Sequence, residues 1–220
     1  MIKLCVFDLD GTLVNSLSDL AAAMNYALNQ QNFPSHDPEK YRLMVGSGVA
    51  VLADRAMNTP NPDPAVKQKL LQDFSDYYTA HCLDFTRPYE GIPALLEQLA
   101  QQGVLTAVNS NKPDRFARYI VTTLFPDADF ASVVGKREEF ERKPAPDGVW
   151  EILRQTGVSK EECLFIGDSN VDAYTARNAG VPFCGVSWGF RSCEELQKAG
   201  AKTIAQTPDD ILGVVRASRS

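Results

Sequence analysis

The hydrophobic and polar positions divide the chain into two regions with different patterns. Between residues 16 and 82, apolar side chains recur at helical spacing, and no segment alternates in the way of a strand. Beyond residue 88, short apolar runs of strand length alternate with amphipathic helical segments. Strands that alternate with helices are typical of a parallel sheet with helices on both faces. The chain is therefore expected to combine a helical unit with an α/β unit.

These patterns, together with proline and glycine breaks, assign the individual elements. The predicted strands span residues 4–7, 104–108, 130–134, 163–166, 183–186 and 203–205. The predicted helices span residues 16–31, 39–57 with a break at Gly46-Ser47-Gly48, 65–81, 92–102, 113–124, 146–156, 171–179, 193–199 and 209–216. We predict an α/β fold with a doubly wound, Rossmann-like parallel-sheet core (residues 1–14 and 86–220). A small α-helical cap domain (residues 15–85) is inserted after the first strand, and residues 14–15 and 85–87 are the expected hinges.

Composition narrows the classes of function. The 220 residues carry a formal net charge of -6 and no long basic run, which argues against nucleic acid and anionic membranes as partners. Five cysteines without C-x-x-C spacing are expected to be buried thiols of a cytoplasmic protein. The two histidines lie far apart, so neither a zinc site nor a histidine-based triad is expected. No apolar run is long enough to predict a membrane helix or a signal peptide, and no protein partner is predicted.

Two aspartates follow the first predicted strand. Asp8 and Asp10 lie two residues apart, so their side chains leave an extended chain on the same side. Two close carboxylates repel each other unless a positive charge lies between them or one is protonated. A hard divalent cation such as Mg²⁺ takes oxygen ligands and meets that need. Gly11, which follows directly, permits a sharp turn or a close approach to a ligand.

Polar residues also follow two later strands of the predicted sheet. Asn109-Ser110-Asn111-Lys112 comes after the second strand, and Gly167-Asp168-Ser169-Asn170-Val171-Asp172 comes after the fourth. Between them, Arg142 and Lys143 form a basic pair ahead of a helix. In open α/β sheets, ligands bind beyond the carboxyl ends of the strands. The sequence therefore predicts that carboxylates, amides and a lysine meet at one edge of the sheet.

Taken in order, these segments resemble the four motifs of the haloacid dehalogenase-like (HAD) phosphohydrolases. The matching segments are Asp8-Leu9-Asp10-Gly11-Thr12, Ser110-Asn111-Lys112, Lys143-Pro144 and Gly167-Asp168-Ser169-Asn170-Val171-Asp172. The similarity extends over essentially the whole chain, with the helical unit where the family has its cap domain. Three further segments look most like the phosphoglycolate phosphatase branch, namely Val45-Gly46-Ser47-Gly48, Arg55-Ala56 and Tyr89-Glu90-Gly91.

The resemblance implies a magnesium-dependent phosphatase. Asp8 would attack phosphorus to form an aspartyl-phosphate, and Lys143 would add positive charge beside it. Mg²⁺ would be bound by Asp8, Asp168 and the main-chain carbonyl of Asp10. Asp172 would lie near the metal, more as a neighbour of its ligands than as a ligand. Asp10 would also act as the general acid and base. The residues expected to hold the phosphate oxygens are Gly11, Thr12, Ser110 and Asn111.

The cap is expected to select the substrate. Gly46 and Gly48 would offer main-chain N–H groups, and Arg55 would offer a charge, to the acid group of a small phosphorylated metabolite. The first choice for that metabolite is 2-phosphoglycolate. Lys112 is expected to be a solvated side chain. Packing and loop roles are expected for Trp188, Phe190 and Arg191.

Other activities would use the same residues. A phosphomutase or a pyrophosphatase of the same fold would share Asp8, so the core alone does not distinguish them from a phosphatase. A phosphate-accepting receiver domain would be shorter and would lack the inserted cap. A non-catalytic binding protein on this scaffold is the remaining alternative.

Overall fold

The computed structural model describes residues 1–218. Within that range the strands are β1 (Leu4–Phe7), β2 (Val14–Asn15), β3 (Arg87–Pro88), β4 (Leu105–Pro113), β5 (Phe130–Lys136), β6 (Cys163–Gly167), β7 (Phe183–Val186) and β8 (Ile204–Ala205). The helices are α1 (Leu17–Gln30), α2 (Val49–Met57), α3 (Pro64–His81), α4 (Ile92–Gln101), α5 (Asp114–Leu124), α6 (Asp147–Thr156), α7 (Asn170–Ala179), α8 (Cys193–Lys198) and α9 (Pro208–Ala217). Short 3₁₀ helices cover Pro38–Leu43 and Lys160–Glu162.

Parallel strands form the central sheet, in the order β5-β4-β1-β6-β7-β8. The chain moves outward from β1 through β4 to β5, and then returns to the other side of β1 with β6. This reversal leaves a crevice at the carboxyl ends of β1, β4 and β6, where open α/β sheets bind ligands. Phe7, the last residue of β1, lies opposite Val108 and Ile166, so the residues that follow these strands emerge side by side.

Both faces of the sheet are covered, which explains why β1 is apolar at every position. Leu4 and Val6 belong to one hydrophobic cluster, and Cys5 and Phe7 belong to another. All four side chains are fully buried. Strands that are buried on both faces have the continuous apolar run typical of parallel sheets. The prediction of a doubly wound α/β core is therefore confirmed.

The three helices between β2 and β3 form a unit that we call the helical insert (residues 17–81). Helices α1, α2 and α3 pack around their own apolar cluster, which includes Leu52 and Phe74. Two side chains of the sheet unit, Phe116 and Phe190, belong to the same cluster. The insert therefore rests directly on the sheet unit.

The base of the insert contains two short strands that sequence analysis did not predict. Strands β2 and β3 pair antiparallel. Nearby, the buried carboxylate of Asp19 accepts hydrogen bonds from the N–H groups of Phe85 and Thr86 and from the Thr86 hydroxyl. Strands of two residues are too short to produce an alternating pattern, which is why they were missed. The hinge movement at these segments, and domain boundaries at residues 15 and 85, stay predictions.

The second strand of the sheet unit is longer than predicted. Strand β4 does not end at residue 108 but continues through Asn109-Ser110-Asn111-Lys112 to Pro113. Asn109 pairs with Val134 and Pro113 pairs with Lys136, and the register is irregular between these two pairs. The hydrophobic pattern of β4 stops at Val108, and the last residues of the strand are mostly polar. Polar residues at the end of a strand look like a loop in the sequence, which is why the prediction stopped too early.

Two predictions from composition concern cysteines and membranes. All five cysteines are free thiols, of which four are buried and Cys193 is half-buried. Among the helices described within residues 1–218, none has both the length and the apolar character needed to cross a lipid bilayer.

Candidate active site

Three buried carboxylates meet at the carboxyl edge of the sheet. Asp8 follows β1, Asp168 follows β6, and Asp172 lies in the first turn of α7. Each offers an oxygen within 4.8 Å of the other two, and none of the three residues is more than 5% exposed. The fold thus brings together aspartates that are far apart in the chain.

The backbone around Asp168 has glycine where a side chain would collide. Gly11 has a φ of +88°, and a Cβ at this position would overlap the Asp168 carboxylate. A Cβ at Gly189 would overlap the Cβ of Asp168. The Phe190 N–H donates to Asp168 Oδ2 at 2.7 Å, and the Thr12 hydroxyl lies 3.4 Å from Asp168 Oδ1. The chain therefore fixes the position of this carboxylate on several sides.

Lys143 is the buried cation beside these carboxylates. Its Nζ lies 2.9 Å from Asp8 Oδ1, 2.7 Å from Asp172 Oδ1 and 3.0 Å from the Asn109 carbonyl oxygen. These contacts use the three N–H groups of the ammonium. Asp172 Oδ2 accepts hydrogen bonds from the Ser169 N–H and hydroxyl, in a capping box at the start of α7. Both oxygens of Asp172 are engaged by protein donors, which favours a role in orienting Lys143.

The cluster carries more negative charge than Lys143 compensates. Burial raises the pKa of Asp8 to about 7, with Asp172 adding to the rise and Lys143 opposing it. Burial, together with Asp172 and Asp8, raises the pKa of Asp168 to about 8. A raised carboxyl pKa means that the ionised form lacks sufficient positive charge nearby. Three carboxylates, of which two pair with one ammonium and Asp168 does not, therefore fit a hard divalent cation with oxygen ligands.

The expectation that Lys112 is a solvated side chain is wrong. Its side chain is 3% exposed, and Nζ lies 2.8 and 2.9 Å from the two oxygens of Asp10. Burial acts to lower the pKa of Lys112, but pairing with Asp10 raises it above its ordinary value, so the ammonium is charged. Asp10 Oδ1 also accepts a 2.6 Å hydrogen bond from the Ser16 hydroxyl. The Asp10 carboxylate therefore lies in its own network beside the three-carboxylate cluster, and metal binding by its main-chain carbonyl stays a prediction.

Asn111 and Ser110 are both buried at this edge but differ in their bonding. The Asn111 side-chain amide donates to the carbonyl oxygens of Gly46 and Lys143, and its oxygen accepts from the Lys143 N–H at 2.7 Å. Asn111 thus joins the insert to the sheet unit. Ser110 Oγ accepts from the Lys112 N–H at 3.2 Å, and its own proton has no acceptor within residues 1–218. Of the two side chains, Ser110 is the one with a donor left for a ligand.

The main-chain N–H groups that were expected to bind phosphate are engaged within their own turn. The Gly11 N–H donates to the Val14 carbonyl at 2.9 Å, and the Thr12 N–H donates to the Leu9 carbonyl at 3.3 Å. The Thr12 carbonyl accepts from Trp188 Nε1 at 3.1 Å. Both residues shape the turn that faces Asp168 in this structure, and direct contact with phosphate stays a prediction.

Sequence analysis missed the contacts of the segment after β7. Arg191 was assigned to packing, yet its guanidinium donates to the carbonyl oxygens of Arg42 and Val45 in the insert, the latter at 2.8 Å. Arg42 donates in return to the Gly189 carbonyl at 3.2 Å. The position of this segment at the end of a strand was the signal that could have found it.

A small cavity of about 50 Å³ lies between the acidic edge and the insert. Gly46 and Gly48 line it on the insert side, and Asp8 and Asp10 line it on the sheet side. Arg55 is not among the lining residues. Its guanidinium donates instead to carbonyl and hydroxyl oxygens within the insert, those of Met44 at 2.6 Å and Ser47 at 3.4 Å. A role for Arg55 in substrate binding stays a prediction.

The chain resembles known hydrolases along nearly its full length. The model of the haloacid dehalogenase-like hydrolase family matches residues 5–186. A phosphoglycolate phosphatase from Vibrio parahaemolyticus is 32% identical over 222 residues, with 99% of this chain and 97% of that protein covered. One from Pectobacterium atrosepticum is 31% identical over 216 residues, with 97% and 92% covered. The crystal structure of a predicted phosphoglycolate phosphatase from Haemophilus somnus has a TM-score of 0.89 at 30% identity, with 97% of both chains covered.

Proposed function

The chain belongs to the haloacid dehalogenase-like hydrolase family, and on this premise we propose that it hydrolyses small phosphate monoesters through a covalent intermediate on Asp8. Relatives named phosphoglycolate phosphatase support its assignment as a phosphoric monoester hydrolase. The observation that carries the mechanism is the position of Asp8, which lines the cavity beside Lys143 and Asp168.

The two oxygens of Asp8 have different surroundings. Oδ1 accepts from Lys143 Nζ at 2.9 Å and from the Leu9 N–H at 2.7 Å. Oδ2 has no hydrogen-bond donor within residues 1–218, so we assign it as the oxygen that bonds to phosphorus. Attack by a carboxylate on a phosphate dianion is repulsive, and Lys143 reduces that repulsion. Lys143 and the Leu9 N–H both hold Oδ1, which fixes the rotation of the carboxylate and leaves Oδ2 for the substrate.

We assign the divalent cation, expected to be Mg²⁺, to the oxygens of Asp8, Asp168 and the Asp10 main-chain carbonyl, with Asp172 orienting Lys143 behind them. When bound, such an ion supplies positive charge that stabilises the phosphate oxygens in the transition state. The raised pKa values of Asp8 and Asp168 support this assignment, because burial and the neighbouring carboxylates outweigh the positive charge that Lys143 supplies.

We assign Asp10 as the group that handles protons. In its protonated form it would give that proton to the leaving alkoxide in the first step, and the resulting carboxylate would then remove a proton from the water that cleaves the aspartyl-phosphate. Lys112 and Ser16 hold its carboxylate at the cavity, which fixes its direction. The Ser110 hydroxyl, whose proton is free, would donate to an oxygen of the transferring phosphoryl group.

The proposed substrate is a small phosphorylated acid, with 2-phosphoglycolate first. The names of the relatives support this choice, and so does the size of the cavity. The insert covers the acidic edge, so we propose that it acts as a cap that excludes water and contacts the leaving group.

Steady-state kinetics on a panel of phosphate esters at fixed Mg²⁺ tests this proposal. We expect kcat/KM for 2-phosphoglycolate to exceed that for generic esters such as p-nitrophenyl phosphate by about tenfold or more. A kcat/KM no better than that of the generic esters would reject the substrate. Turnover without a divalent cation would contradict the mechanism. Incubation with a hexose 1-phosphate separates the phosphomutase alternative, because a mutase yields an isomer and a phosphatase yields free phosphate.

A further inference from the structure

The wall of the cavity that the insert contributes contains one polar atom without a partner. Tyr78 lies in α3 and lines the cavity, and the residue is 1% exposed. Its ring stacks on Phe74 with centroids 5.3 Å apart and meets Phe116 edge-on at 5.1 Å. Its hydroxyl makes no hydrogen bond to any group within residues 1–218. A buried hydroxyl without a partner destabilises a fold, so it calls for a ligand or a functional reason.

The side chain of Lys112 lies next to that hydroxyl. Its Nζ is 4.9 Å from the centroid of the Tyr78 ring, and Lys112 lines the same cavity. An ammonium has three N–H groups, and two of them are directed at the two oxygens of Asp10. Lys112 Nζ and Tyr78 Oη are also close enough for each group to shift the pKa of the other. The Lys112 ammonium and the Tyr78 O–H therefore lie side by side at this end of the cavity.

We propose that Tyr78 Oη and Lys112 Nζ form the subsite that binds the anionic oxygen group, a carboxylate, of the leaving group. This subsite deepens the proposed phosphatase function and rests on it. A carboxylate has two oxygens and accepts from two donors at once, and the Lys112 ammonium, which already pairs with Asp10, offsets part of its negative charge. Burial raises the pKa of Tyr78, so its hydroxyl keeps its proton and serves as a donor.

Two arginines near this end of the insert are already used by main-chain groups. Arg55 donates to the Met44 carbonyl, and Arg191 donates to the carbonyl oxygens of Arg42 and Val45. None of these guanidinium groups lines the cavity. The remaining surface on the insert side is mainly apolar, including Leu52 and Phe74, and it limits the length of the leaving group. This arrangement suits a short acid better than a neutral polyol.

The substitution Tyr78→Phe tests the subsite with little risk to the fold, because it removes only the unpaired hydroxyl and keeps the ring contacts. The matched control is Tyr77→Phe, since Tyr77 lies in the same helix as Tyr78, stacks on Tyr26 of α1 and lies outside the cavity lining. The substrates are 2-phosphoglycolate and phosphoglycolamide, in which a neutral amide replaces the carboxylate. The measured quantity is the ratio of their kcat/KM values, together with the melting temperature of each variant.

We expect the native enzyme to prefer 2-phosphoglycolate, and Tyr78→Phe to lower that preference by about tenfold, as expected for one hydrogen bond to a charged group. The melting temperature of Tyr78→Phe should be equal to or above the native value, and Tyr77→Phe should keep the native preference. The subsite is overturned by any of three results: no native preference for the acid, an unchanged preference in Tyr78→Phe, or an equal loss in Tyr77→Phe.

A separate arm tests the proposed function on its own. Asp8→Asn is assayed with p-nitrophenyl phosphate, which has no carboxylate to occupy the subsite. If that variant turns over as the native enzyme does, the phosphatase mechanism fails whatever the Tyr78 variants show. If the native enzyme hydrolyses p-nitrophenyl phosphate and Asp8→Asn does not, while neither glycolate derivative is a substrate, the subsite fails and the phosphatase function stands.

Discussion

The two sides of the cavity are built differently. On the sheet side, charged groups are bound in networks, because Lys143 pairs with Asp8 and Asp172 while Lys112 pairs with Asp10. On the insert side, the wall is mainly apolar and its Tyr78 hydroxyl has no partner within residues 1–218. Paired charges hold their geometry before a ligand arrives, whereas an unpaired donor in an apolar wall gains its partner only from the ligand. We infer that the sheet side performs phosphoryl transfer and that the insert side chooses the leaving group.

The largest effect is expected from removing the nucleophile on the sheet side. Asp8→Asn should lower kcat by about 10⁴-fold or more for every phosphate ester. The reason is that an amide is a poor nucleophile and no other carboxylate of the site takes over the attack on phosphorus. The loss should be the same for esters with and without an acid group, unlike the effect of a change in the insert wall. Stopped assays with p-nitrophenyl phosphate and 2-phosphoglycolate measure both losses. A loss confined to one ester would break the proposed division between the two sides.

The next effect concerns Lys143. Lys143→Met leaves Asp8 and Asp172 without their common partner, so we expect a loss of about 3–5 kcal/mol in the free energy of unfolding. We also expect kcat to fall by about 10²–10³-fold, in the range measured when one transition-state donor is removed. Urea unfolding and steady-state kinetics provide the two values. The double variant Lys143→Met with Asp172→Asn should recover part of the stability but not the activity. If the double variant recovers neither stability nor activity, or recovers both, the proposed pairing of Lys143 with Asp172 is contradicted.

The sheet-side predictions rest on residues that sequence patterns located well. Asp8, Asp168 and Lys143 were singled out because each follows a strand or precedes a helix, which is visible in the local pattern, and their roles were inferred from the family resemblance. The parallel sheet then brings them together without any further information. Their environment was not predictable, since the pKa shifts depend on the burial of the assembled cluster.

Sequence patterns did not predict the contacts between the helical insert and the sheet unit. Lys112 was expected in solvent, but its partner Asp10 lies 102 positions away, and the pairing depends on β4 continuing past its apolar run. Arg191 and the Tyr78 hydroxyl are likewise defined by how the insert rests on the sheet unit. Local periodicity carries no information about such packing.

A third prediction concerns pH and the divalent cation. In the folded protein the pKa values of Asp8 and Asp168 are raised to about 7 and about 8, above the ordinary value of 3.8. These groups therefore contribute stability that is fully present below about pH 4 and lost as the pH rises through 7 and 8. A cation that binds the ionised carboxylates restores that stability. Thermal unfolding should show that Mg²⁺ raises the melting temperature by several degrees more at pH 8 than at pH 5.

The control for this measurement is Asp168→Asn, which should abolish most of the Mg²⁺ effect at both pH values. At each pH, the melting temperature is compared with and without Mg²⁺. Surface carboxylates titrate in both samples, so their effect on the melting temperature cancels in the difference. An equal rise in melting temperature at pH 5 and pH 8 would show that the cation binds elsewhere.

The smallest effect is expected for Arg55 on the insert side. Its side chain binds the Met44 carbonyl and Ser47 hydroxyl and is exposed, so Arg55→Ala should change kcat/KM for 2-phosphoglycolate by less than about threefold. Tyr78→Phe on the same substrate should cost more, although it removes a single oxygen. Parallel kinetics of the two variants rank them. A larger loss for Arg55→Ala would restore the sequence-based expectation that this residue binds the acid group.

The central claim is that Asp8 bonds covalently to phosphorus, and the stereochemistry at phosphorus tests it most directly. The substrate is a phosphorothioate ester made chiral at phosphorus with two oxygen isotopes, and it is hydrolysed in water labelled with the third isotope, so that the released thiophosphate is itself chiral. Attack by Asp8 followed by attack of water gives two inversions. The account therefore predicts overall retention of configuration in the released thiophosphate. Overall inversion would show a single displacement by water and would contradict a covalent intermediate on Asp8.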